Sequence, residues 1–162
     1  MNVDGILREL NAHRVRYLLI GGMNFLLRHR PIVTFDVDLW IEDTEANLGH
    51  CERALASLNA SWGLSEDEWG PVAALRPGWL SRRPVFCMTS AFGAIDIFRA
   101  VVGLDDWAKC FARAVRSKTA GGVSCRGLSD VDMLRSQMAL EPRARDAARI
   151  AVLKAAGRRR RT

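Results

Sequence analysis

Apolar positions along this chain recur at two periods, and the change of period marks its elements. In "VDGILRELNAHRV" the apolar residues Ile6, Leu7 and Leu10 fall at helical spacing, with Asp4 as the predicted N-cap. "RYLLI" reads as a short buried strand over 17–20, broken by Gly21-Gly22. A second helix then turns Phe25, Leu26 and Leu27 inward and stops near "RHRP". "FDVDLWI" is a strand. "TEANLGHCERALASLNA" is an amphipathic helix with Leu48, Cys51, Leu55 and Leu58 on one face.

Between Trp62 and Pro84 neither period holds, and loops with short strands are expected. "PVFCMTSAFGAIDIFRA" predicts a hairpin of 85–89 with 94–98, turning near Gly93. "LDDWAKCFARAV" is helical, and a small hairpin turns at Ala120-Gly121-Gly122. The end reads as two helices, about 129–140 and 143–157, parted at Glu141-Pro142. The order of elements predicts an α+β domain: a mixed β-sheet packed with helices, followed by a helical C-terminal segment. We assign residues 1–157 to a single domain and 158–162 to a basic tail.

One strand breaks its own pattern. Asp36 and Asp38 interrupt an otherwise apolar run, and residues two apart on a strand point the same way. Two like charges side by side need something positive to offset them. Asp96, between Ile95 and Ile97, repeats the motif of an acid on an apolar strand. Two acids on one strand face and a third on an adjacent strand are the donor set that a hard divalent cation takes in phosphoryl chemistry. Gly21-Gly22, at a strand-to-helix junction, would let the backbone approach a ligand, with the helix N-terminus behind it. Each feature also has a plain reading. Gly-Gly can be a turn, the Asp pair can be surface acids of an edge strand, and Asp96 can be a lone solvated acid or pair with Arg99.

Composition narrows the picture modestly. The 162 residues are 49% hydrophobic and 26% charged, which argues against wholesale disorder. A net charge of +6 favours anionic partners, although four of the basic residues sit in the terminal run 158–161. Cysteines 51, 87, 110 and 125 are scattered, form no CxxC pair and have no histidine at metal-ligand spacing, so reduced thiols in a cytoplasmic protein are expected. The amphipathic, acid-containing N-terminus does not read as a signal peptide, and "YLLIGG" is too short to span a bilayer.

The pattern "GG", thirteen residues, "DVD" resembles the signature of the nucleotidyltransferase superfamily with the DNA polymerase β-like fold. Thr34 and the "DLWI" ending are similar to its AbiEii-type toxin branch and related uncharacterised bacterial proteins. "AIDIFRAVVGLDDWAKCFARAV" resembles the branch's third-acid strand and following helix. "GLSDVDMLRSQMALEPRARDAARIAVL" resembles its terminal segment, with Leu128, Asp130, Arg145 and Asp146 at matching places. The resemblance implies Mg²⁺- or Mn²⁺-dependent transfer of a nucleoside monophosphate from an NTP such as ATP. It implies Asp36, Asp38 and Asp96 as metal ligands and catalytic acids, with Asp96 also activating the acceptor hydroxyl. Gly21 and Gly22 would carry the triphosphate, with Met23 and Asn24 beside it. It further implies tRNA or another RNA as acceptor and an antitoxin protein as partner. One position departs: Gln137 stands where the branch carries a Lys, so Arg135 or Arg145 is expected to take over the phosphate contact. A catalytically weak nucleotide-binding or regulatory module is the alternative reading.

Overall fold

In the computed structural model, which describes residues 1–104 and 106–159, the chain is α+β, built on one eight-stranded mixed sheet. The strands are β1 (Tyr17–Leu19), β2 (Asp36–Ile41), β3 (Ser61–Trp62), β4 (Gly70–Pro71), β5 (Val85–Ser90), β6 (Gly93–Phe98), β7 (Val115–Lys118) and β8 (Ser124–Gly127). Their order across the sheet is β4-β3-β5-β6-β2-β1-β8-β7. β2 is parallel to β6 and antiparallel to β1, and β1 is parallel to β8. The remaining pairs, β3–β4, β3–β5, β5–β6 and β7–β8, are antiparallel. β2 is therefore an interior strand, and the edge-strand reading of its acids is overturned.

Alternation on the interior strands divides the core in two. Tyr17, Leu19, Val37, Leu39, Ile41, Ile95 and Ile97 face the larger cluster, under α1 (Val3–Ala12) and α3 (Glu45–Ser57). Leu18, Ile20 and Trp40 face the smaller cluster, which α4 (Trp107–Ala112), α5 (Asp130–Ala139) and α6 (Ala147–Arg159) cover with Cys110, Met133 and Leu153. The four residues predicted for the inner face of α3 are all buried, and Thr44 caps that helix by accepting the Asn47 amide. The stretch from Ser61 to Pro84 holds the two shortest strands, β3 and β4, and two 3-10 turns, pinned by Trp62, Trp79 and Phe86 in mutual ring contact.

Three boundaries differ from the sequence expectation. Asn2, not Asp4, caps α1, because its Oδ1 reaches the Gly5 amide at 2.9 Å. α2 begins at Gly21 itself and runs Gly21–Arg28. The last helix starts at Ala147 instead of 143: Pro142 opens a 3-10 turn over Pro142–Ala144, and Asp146 closes the first turn of α6 by accepting the Arg149 amide at 2.9 Å. Of the expected tail, residues 160–162 lie outside the described residues. No helix among the described residues is long and apolar enough to cross a membrane.

Candidate metal centre

The face of β2 that carries Trp40 also carries Asp36 and Asp38, since the three are spaced by two. β6 lies alongside in parallel register, with Asp38 opposite Asp96 and Asp36 opposite Ala94. One carboxylate oxygen from each of Asp36, Asp38 and Asp96 lies within 4.8 Å of one from each of the others. All three side chains are half-buried. The same sheet face is thus apolar where Trp40 and Phe98 follow and acidic one step before them.

Junction geometry brings α2 onto this cluster. Gly21 takes a left-handed φ of 57°, which turns the chain from β1 directly into the helix. A Cβ at Gly21 would fall 1.9 Å from Asp38 Oδ2, so the backbone here touches the carboxylate. The Gly22 amide donates to Asp38. Behind Gly22 stands Thr34, whose Oγ1 would lie 2.7 Å from a Cβ there and donates to Asp36 Oδ1 at 3.3 Å. The positive end of α2 faces the acids, but the Gly22 donor expected to meet a triphosphate is engaged by Asp38.

The charge balance is unfavourable to three free carboxylates. Burial, then the neighbouring Asp36 and Asp96, push Asp38 up to about 6 from 3.8, against the Gly22 hydrogen bond and the positive Arg149. Burial also raises Asp96, helped by Asp36 and opposed by a hydrogen bond from the Cys87 thiol. An all-oxygen set of this kind suits Mg²⁺ or Mn²⁺, whose charge would relieve the repulsion that raises Asp38.

The other sequence candidates are placed differently. Arg99 does not pair with Asp96; its Nε and NH2 donate to Asp43 at 2.9 and 2.8 Å. Met23 is buried in the larger core. Asn24 is buried too, and its Nδ2 donates to the Leu128 carbonyl at 3.1 Å. Arg135 is exposed on α5, while Arg145 Nε donates to the Leu140 carbonyl at 2.8 Å. Gln137 Oε1 accepts the Asp146 amide at 3.1 Å and so fastens the start of α6 to α5.

Two neighbours of the site escaped the sequence reading. Arg149 on α6 is the cation that acts on Asp38. Its guanidinium stacks 5.5 Å from the Phe25 ring, and its Nε is buried, 3.5 Å from Asp146 Oδ2, with no hydrogen-bond partner among the described residues. The sequence signal was the Asp146–Arg149 spacing of three on a helix start, which places both on one turn. Cys87, exposed on β5, pairs with Asp96 across the hairpin. The predicted hairpin already implied that pairing, because Thr89 opposite Ala94 sets Cys87 opposite Asp96.

No protein-family model matches the chain, and no curated protein matches its sequence.

Proposed function

We propose that this chain is a metal-dependent nucleotidyltransferase that moves a nucleoside monophosphate from an NTP to an acceptor hydroxyl, within the cytoplasm. The observation that carries the reading is the convergence of Asp36, Asp38 and Asp96, from two adjacent strands, within 4.8 Å of one another at the N-terminus of α2. Asp36, Asp38 and Asp96 would hold the ion. Mg²⁺ held there would neutralise charge on a triphosphate and lower the pKa of an acceptor hydroxyl. Asp96, raised by burial, is suited to take the acceptor proton. The acceptor oxygen then forms a bond to the α-phosphorus, the bond from that phosphorus to the bridging oxygen breaks, and pyrophosphate leaves. Arg149 is the cation placed to steady the negative charge around Asp38.

For the acceptor we favour tRNA or another RNA, and for the biological setting the toxin of a toxin–antitoxin pair, on the strength of the sequence resemblance. A second reading is favoured by one observation: Gln137, at the place of a phosphate-binding Lys, is committed to the Asp146 amide. On that reading the chain binds nucleotide and acts through a protein partner without turnover. Incubation with each NTP labelled at the α-phosphate, Mg²⁺ and total RNA separates the two. Label carried onto RNA supports transfer; nucleotide binding with no label moved to any acceptor supports the module.

A further inference from the structure

At the opposite end of the sheet from the acids lies a groove of about 780 Å³. It is bounded by the start of β1, by α4 and by the β7–β8 hairpin. Tyr17, which lines it, pairs with Ile41 at the far end of β2 from Asp36. Five residue-to-residue rises of strand separate those ends, about 17 Å. Among the described residues, Arg16, Arg116, Lys118 and Arg126 line the groove and no acid does.

Two features of this lining concentrate positive charge. Arg116 and Arg126 are directly paired across β7 and β8, where like charges repel. Among the described residues, no carboxylate forms an ion pair with Arg116, Lys118 or Arg126; Arg16 alone has one, Glu42 at 2.8 Å. Two of the four cations are also held in place. Arg126 and Arg16 lie over Phe111 at 4.5 and 4.9 Å, and Arg16 lies over Trp107 at 5.2 Å. Stacking fixes the guanidinium planes and leaves their edge N–H groups to meet phosphate oxygens with less ordering entropy to lose. Arg116 and Lys118, two apart on an extended strand, stand about 6.8 Å apart along it. They are therefore set to meet successive charges of a polymer.

We propose that this groove binds the phosphodiester backbone of a single nucleic-acid strand. The aromatic faces are already covered by arginine, so recognition rests on phosphate and is tolerant of sequence. This inference is independent of the transfer reaction, and its test measures binding alone.

The test is fluorescence anisotropy of the full chain with labelled single-stranded RNA and DNA 20-mers over a range of salt concentrations. The wild type should bind at least one of them, with affinity falling steeply as salt rises; the comparison identifies which strand is preferred. Arg116→Gln with Lys118→Gln should weaken binding by at least about tenfold and flatten the log–log salt slope by roughly 1.4, two contacts at ~0.7 each. The thermal melt of this variant should be unchanged or raised, since a like-charge repulsion is relieved. Arg76→Gln with Arg82→Gln, which removes two exposed charges elsewhere, should leave binding nearly intact. Equal weakening in both double variants would reduce the effect to net charge and overturn the proposal. So would full binding by the groove variant, no binding by the wild type, or displacement of the strand by tripolyphosphate at equal phosphate concentration.

Discussion

Asp38 and Asp96 stand opposite each other on neighbouring parallel strands in the interior of the sheet. Two carboxylates in register there cost stability unless a cation or a proton relieves them.

Asp38→Asn should stabilise the protein at neutral pH. In the folded chain Asp38 titrates at about 6, against 3.8 ordinarily. Below pH 4 it is protonated folded or unfolded, and wild type and variant should match. Between 4 and 6 the folded state binds the extra proton, so wild-type stability falls as pH rises. Above 6 the penalty is complete, and the variant should be more stable by about 1–2 kcal/mol once solvent screening is allowed for. Denaturant melts at pH 4, 6 and 8 measure this; a variant less stable at pH 8 would mean that the carboxylate is a stabilising partner.

Mg²⁺ or Mn²⁺ should raise the wild-type melting temperature more at pH 7.5 than at pH 5, because protons compete for Asp38. Asp96→Asn should abolish the shift. Arg149→Gln removes the positive charge acting on Asp38, so the pH at which the metal effect sets in should move upward. Differential scanning fluorimetry across pH reads all three, and a metal shift independent of pH would contradict the assignment of Asp38.

The acids were legible in the sequence because strand alternation is a local rule: residues 36, 38 and 40 must share a face, and a hairpin turning near Gly93 presents Asp96 on one strand. Adjacency of β2 and β6 was not local, since three strands intervene in the chain between them. Arg149 was missed for a related reason. Its place depends on α6 packing against Phe25 through a joint that Gln137 and Asp146 fasten, a contact between elements that no local spacing announces. The cationic groove depends on β8 joining β1 from the far end of the chain, which no periodicity announces. Asn24, expected beside the triphosphate at the start of the helix after Gly22, directs its carboxamide to the Leu128 carbonyl, a contact 104 residues away in the chain that no local pattern announces.

Gly21→Ala should damage the site as well as the fold. The left-handed backbone alone costs about 1–2 kcal/mol for a residue with a Cβ. The added methyl would sit 1.9 Å from Asp38 Oδ2 and must displace that carboxylate. The metal-induced thermal shift should be lost even at temperatures where circular dichroism shows the variant folded. Retention of a full metal shift would remove Gly21 and Asp38 contact from the account.

The most direct measurement pairs two labels. The wild-type chain and Asp38→Asn are each incubated with Mg²⁺, acceptor RNA and an NTP carrying label at either the α- or the γ-phosphate. Nucleotidyl transfer predicts that α-label moves to the acceptor while γ-label leaves as pyrophosphate, and that Asp38→Asn moves neither. Transfer of γ-label to the acceptor, or α-label transfer undiminished in Asp38→Asn, would contradict the account.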